Sequence, residues 1–135
     1  MLLLPFLYAC NNNCEGIDCL SVESVAFTIT SSETREDLLF GDNASLGAED
    51  IEVYYMQNGT KQPAFVRFEA DYALVAVDPE ITAYYVTALD QTDSIKLAIS
   101  RTSSSECCLS TSALEQISVN NQILPADIRV INLRR

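Results

Sequence analysis

The chain contains no histidine and no tryptophan, and its 8 Lys and Arg stand against 19 Asp and Glu. Each shortage removes a class of function. Without imidazole there is no Ser-His-Asp or Cys-His catalysis, no histidine metal ligand and no histidine pH switch. With a formal charge of −11, nucleic acid is a poor partner, because phosphate binding needs clustered Lys and Arg. Without tryptophan the usual sugar-stacking ring is missing. What remains is ordinary for a folded protein: 48% of the 135 residues are apolar and 20% charged. That length suits one domain, able to bury about two thirds of its unfolded surface.

The amino terminus, Met1 to Ala9, reads MLLLPFLYA, an uncharged apolar run ending in a small residue. It is too short to cross a bilayer, which takes roughly 20 apolar residues. It fits the apolar core of a signal peptide with its cleavage site. Leu7-Tyr8-Ala9-Cys10 resembles a bacterial lipobox, with Leu at −3, Ala at −1 and then the cysteine. The resemblance implies that Cys10 is lipidated and that residues 1–9 are removed. No Lys or Arg precedes the run, so a basic segment is expected upstream of Met1. The competing reading is a first core strand. Asn11-Asn12-Asn13 speaks for the anchor, as a polar tether of the kind that follows a lipid. The expected organisation is a signal at 1–9, a tether at 10–20 and a domain at 21–135. Lipid on one cysteine would hold the protein in a membrane, each buried methylene adding about 0.8 kcal/mol.

Of the 5 cysteines, four remain beside Cys10: Cys14, Cys19, Cys107 and Cys108. Outside the cytoplasm disulfides persist, and four cysteines allow three connectivities. A bridge between adjacent Cys107 and Cys108 would strain their peptide, so links from the 14–19 segment to the 107–108 segment are favoured. Free thiols are one alternative. A zinc site is another, although adjacent cysteines do not match the usual C-x2-4-C spacing. No cofactor or metal is expected.

Apolar alternation with turn signals every 8 to 12 residues points to strands. The expected strands cover 22–30, then 51–57, and a return through Val66, Phe68 and Ala70 after an Asn58-Gly59 hairpin. Pro63 marks an irregular start to that return. Further strands follow at 72–77, 81–88, 95–99, 114–119 and 128–133, with helical turns open at Ala48–Asp50 or Ser112–Gln116. The fold expected is all-β, an antiparallel β-sandwich of seven to eight strands, immunoglobulin-like or transthyretin-like.

The C-x4-C segment after the lipobox, Asp37–Asn43, Glu49–Tyr55, Asn58-Gly59, Asp93–Leu97 and Ser104–Cys108 together resemble small lipoproteins of Bacteroidetes-type bacteria. The resemblance covers most of the mature chain. It implies class and location, an outer-membrane lipid anchor on the periplasmic or surface face, and brings no activity.

Candidate chemistry is sparse. Glu49-Asp50 and Asp90/Asp93 fall where turns are expected, and such carboxylates are normally solvated. The loop Gly41 to Asp50 could offer oxygens to calcium, but turn capping explains the same residues. Tyr54-Tyr55 and Tyr84-Tyr85 are neighbours on strands, so each pair sends one ring inward and one outward. Tyr54 and Tyr84 are the candidate surface contacts, for a sugar or a protein. Asp93-Ser94-Ile95 resembles the O-glycosylation acceptor of the same bacteria. The expected function is a monomeric envelope-anchored lipoprotein, a binding or structural module and not an enzyme. The alternative is a carbohydrate-binding accessory of a glycan-uptake system.

Overall fold

In a computed structural model of the chain, the described residues are 24–103 and 110–135. They form two packed sheets. Ten strands appear in order: β1 (Ser24–Thr30), β2 (Ile51–Gln57), β3 (Thr60–Pro63), β4 (Val66–Phe68), β5 (Ala73–Ala76), β6 (Ala83–Ala88), β7 (Gln91–Ser103), β8 (Ser110–Val119), β9 (Gln122–Ile123) and β10 (Val130–Arg134). The smaller sheet has the order β10-β1-β5-β4, the larger β3-β2-β6-β7-β8-β9. All pairings are antiparallel except β1 with β10, which run parallel with Ile29 beside Leu133.

Alternation decides which side chains fill the space between the sheets. Val25, Phe27 and Ile29 point inward from β1, Ala73 and Val75 from β5, Tyr84, Val86 and Ala88 from β6, and Ile131 and Leu133 from β10. All are under a tenth exposed, and Ile29, Val75 and Val86 are fully enclosed. Burying one such aliphatic side chain contributes about 1.5–3 kcal/mol. The all-β sandwich expected from the sequence is therefore present.

Two expectations on detail are corrected. Among the described residues the strand count is ten, not seven to eight, because the return after the hairpin is two strands in different sheets and a two-residue strand, β9, follows β8. Lys61 and Gln62 continue the hairpin, with Tyr55 beside Gln62. Then the chain changes sheet at two residues: the N–H of Ala64 donates to Val53 O at 2.9 Å, and Phe65 O accepts from the Ala76 N–H at 2.9 Å. Pro63 cannot donate to a ladder, so the pairing ends there. Of the two helical turns, Ala48–Asp50 is a single 3-10 turn, whereas Ser112–Gln116 is strand, paired to β7.

Local chemistry shapes the connections. Asn58 and Gly59 both have positive φ, +53° and +76°, the backbone of a tight two-residue hairpin that asparagine and glycine accept most readily. Asp37 organises the 37–40 turn: its Oδ1 accepts from the N–H groups of Leu39 and Phe40 at 2.9 and 2.8 Å. Its Oδ2 accepts at 2.6 Å from buried Thr28 Oγ1, which would otherwise be unsatisfied.

The direction of the strands sets the ends of the molecule. Thr30, the Ala88–Gln91 turn and Arg135 meet at one end. Ser24 and the Ser103–Ser110 pair lie toward the other, because β1 runs away from Ser24 and β7 runs toward Ser103. All five cysteines lie outside the described residues, as do Met1 to Ala9 and the tether at 10–20.

Candidate functional site

The outer face of the larger sheet carries the first candidate surface. Tyr54 and Tyr85 are directly paired across β2 and β6, and their rings stack with centroids 5.3 Å apart and planes 21° apart. Lys61 Nζ lies 4.3 Å from the Tyr54 ring centroid and bonds Glu52 Oε1 at 2.7 Å. That hydrogen bond, with the charge of Glu52, raises the Lys61 ammonium above its ordinary pKa and keeps it cationic. A row Lys61–Tyr54–Tyr85 results, flanked by the hydroxyls of Thr87 and Thr92, 2.7 Å apart. Such a row can meet the apolar face of a sugar or an aromatic side chain, with polar groups beside it.

Tyr54 is on the outer face. Tyr84 is not: only 1% exposed, it is the inward member of its pair. It shares its face with Val86 and Ala88, and Tyr85 is the outward ring. The Tyr84 hydroxyl oxygen accepts from the Asp78 N–H at 2.9 Å, and its ring meets Tyr55 edge-on at 6.1 Å. Burial pushes its pKa upward, and the Asp78 N–H, which favours the phenolate, offsets only part of that.

Asp93 also departs from the expected solvated turn. It lies on β7 with Ile95 and Leu97, faces inward, and is 2% exposed. Its Oδ1 accepts from Asn120 Nδ2 at 2.8 Å, while Arg135 Nη1 lies 2.5 Å from its Oδ2. The second contact is an ion pair lacking directed hydrogen-bond geometry. The two side chains are 3% and 4% exposed, so neither charge is screened by water. Arg135 spends its other donors on Ala88 O at 2.9 Å, Gln91 O at 3.2 Å and Arg134 O at 3.0 Å. This guanidinium ties one sheet to the other. Asn120 continues the network, its Oδ1 accepting from the Ser94 N–H at 3.0 Å. Asp93 is committed to this lock, an architectural use of a buried carboxylate.

The remaining carboxylates named from the sequence go to turns. Asp50 Oδ2 accepts from the Gly47 N–H at 2.7 Å, Glu49 is exposed, and Asp90 sits in the two-residue Leu89-Asp90 turn with φ +61°. Among the described residues no three of Cys, Asp and Glu converge as a metal site. Ser94, the modification candidate, is a strand residue beside Tyr85, half-buried.

A second surface was not anticipated. Between β10 and the β8–β9 edge the two sheets part, and the six-residue connection from Leu124 to Arg129 leaves a groove. One cavity of about 610 Å³ runs past Val119, Leu124, Ile131 and Leu133, with Asp93 and Asn120 at its polar end. The chain matches no family model, no curated protein and no solved structure, so the functional reading rests on its own residues and geometry.

Proposed function

We propose that this chain is a lipid-anchored protein of the bacterial envelope whose β-sandwich serves as a binding or structural module and not as an enzyme. The observation that carries the reading is Leu7-Tyr8-Ala9-Cys10, followed by the Asn11-Asn12-Asn13 tether and, from Ser24, by a sandwich. Cys10 is the lipid attachment site, and residues 1–9 are the signal. Metabolic labelling with a fatty-acid analogue tests this: label enters the wild-type chain and is lost in Cys10→Ala. Equal labelling of both proteins overturns it.

Within this reading, Cys14 and Cys19 pair with Cys107 and Cys108. The position of Ser24 and of the Ser103–Ser110 pair toward one end of the sandwich favours such links. Cys19 is five residues before Ser24, a reach of about 17 Å in extended chain. The first link would close a loop of about 90 residues and contribute at most about 4 kcal/mol in the chain-entropy model, and the second, closing a short loop, would add less. Peptide mass mapping without reductant is expected to find 14–19 peptides joined to 107–108 peptides.

A second reading, carbohydrate binding, is favoured by the Tyr54–Tyr85 stack and its hydroxyl flank. A glycan array tests it, with Tyr85→Ala expected to abolish any signal. Silence of the wild-type chain across plant and host glycans ends it.

A further inference from the structure

Among the described residues the two sheets end on four strands, and three of these are short or carry a charge or a proline. β3 carries Lys61 and ends on Pro63, β4 has three residues with Arg67 at its centre, and β9 has two residues, which pair with Ser118 and Val119 and leave β8 at 113–116, where Glu115 sits, beside no further described strand. Brevity, charge and proline are the usual protections of an edge against pairing with another chain. β10 is different: five residues, no proline, and one charge at its last position.

Its ladder fixes which backbone groups are engaged. The Arg135 N–H donates to Thr30 O at 3.0 Å, and Arg135 O accepts from the Ser32 N–H at 2.7 Å. Successive strand residues turn their backbone groups to opposite sides. Ile131 and Leu133 therefore face β1 as Arg135 does, while Val130, Asn132 and Arg134 face outward. The Arg134 carbonyl is taken by Arg135 Nη1 at 3.0 Å. Val130 and Asn132 each keep an N–H and a C=O without a backbone partner among the described residues.

The groove lies along this same edge. Ile128, 39% exposed, lines three cavities of about 610, 480 and 280 Å³. Those cavities run from Asp93 at one end toward Ser24 at the other, with Leu124, Ile117 and Ile131 among their apolar walls.

We propose that this flank accepts an extended peptide strand of a partner protein. The strand lies along β10, its backbone bonded to Val130 and Asn132, and its alternate apolar side chains fill the groove. This is strand addition to a sheet edge. Paired N–H and C=O groups at strand spacing select extended peptide over a sugar, and the apolar wall selects alternating apolar residues. A second copy of the chain is disfavoured because each carries a charge of −11, whereas a neutral or basic segment meets no such repulsion. The inference deepens the binding-module reading and is independent of the lipid anchor and of the tyrosine face.

The test uses the purified full chain and a synthetic heptapeptide, Ser-Val-Ala-Phe-Thr-Ile-Thr, which copies β1, the strand β10 already accepts on its other side. Amide hydrogen exchange is followed by NMR at millimolar peptide. Exchange at Val130 and Asn132 is expected to slow by about tenfold or more. The same peptide N-methylated at alternate residues is expected to give no protection. Asn132→Pro, which removes an outward N–H, is expected to weaken binding about tenfold, with the circular dichroism spectrum retained. Three results overturn the proposal: no protection, equal protection by the N-methylated peptide, or protection at Val130 and Asn132 before peptide is added. In the last case concentration dependence separates a second copy from the chain's own residues 11–23. Lipid labelling at Cys10 and the glycan array are unaffected by any of these outcomes, so this inference can fail alone.

Discussion

The two long flanks of the sandwich solve one problem in opposite ways. At the β3–β4 flank the chain passes between sheets in two residues, Ala64 and Phe65, each hydrogen-bonded to a different sheet. At the β9–β10 flank it takes six, Leu124 to Arg129, and the groove remains. A short crossing holds the sheets close on that side, although Phe65 itself stays exposed. A long crossing leaves them apart, so something else must hold that side. The Asp93–Arg135 pair does so, joining the larger sheet to the residue after β10.

Removing half of that pair tests the comparison most severely. Arg135→Met keeps most of the side-chain volume but strands a buried carboxylate. It should cost about 3–5 kcal/mol, the range for breaking a buried ion pair. Asp93→Leu combined with Arg135→Met should recover most of the loss, because no buried charge is left alone. Urea denaturation measures both. A single-mutant cost below about 1 kcal/mol would mean that the open flank does not depend on the lock.

Packing supplies the next contrast, inside the open flank itself. Leu133 is 1% exposed, so Leu133→Ala should cost about 3 kcal/mol, within the usual range for emptying a core site. Ile128 is 39% exposed at the mouth of the groove, so Ile128→Ala should cost less than about 1 kcal/mol. Similar costs would show that the groove is packed in solution.

Most of this framework was legible from periodicity, and the misses have physical causes. The inward set at 84, 86 and 88 obeys alternation, yet Tyr84 was expected at the surface, because alternation says only that one ring of the Tyr84-Tyr85 pair faces out and not which. Asp93 shares its parity with Ile95 and Leu97, a signal outweighed by the habit of reading carboxylates near a turn as solvated. Its partner Arg135 is distant in sequence, and no local pattern marks a cation that will be buried. The sheet change at Ala64 hid for a related reason: Pro63 announces a broken ladder but not where the chain goes next. Edges and grooves depend on strand order, which alternation does not encode.

On the closed flank, Ala64→Pro deletes the N–H that bonds Val53 O. The crossing, half-buried at Ala64, then loses one of its two ties, at a cost of about 1–3 kcal/mol by thermal or urea unfolding.

Tyr84 supplies an interior reference between the flanks. Its phenol is held above its ordinary pKa, chiefly by burial, so the folded state binds the proton more tightly than the unfolded one. This stabilisation is fully present below the unfolded value of about 10 and is lost as pH rises through the folded value. Tyr84→Phe loses the Asp78 hydrogen bond, about 1 kcal/mol at neutral pH, and should flatten the decline in stability above pH 10. An unchanged alkaline slope would place the relevant titration elsewhere.

The smallest effect is the most diagnostic, because it repeats the proline substitution on the other flank. Asn132 is exposed and turns its N–H away from β1, so Asn132→Pro removes no bond of the ladder. Proline is tolerated on an edge strand when the lost N–H faces solvent. The expected loss is about 0.5 kcal/mol or less, against the larger cost of Ala64→Pro. If Asn132→Pro destabilises the isolated chain as much as Ala64→Pro does, then the outward N–H of Asn132 already has a partner. The β10 edge would then be closed, and the difference between the two flanks would lie in loop length alone.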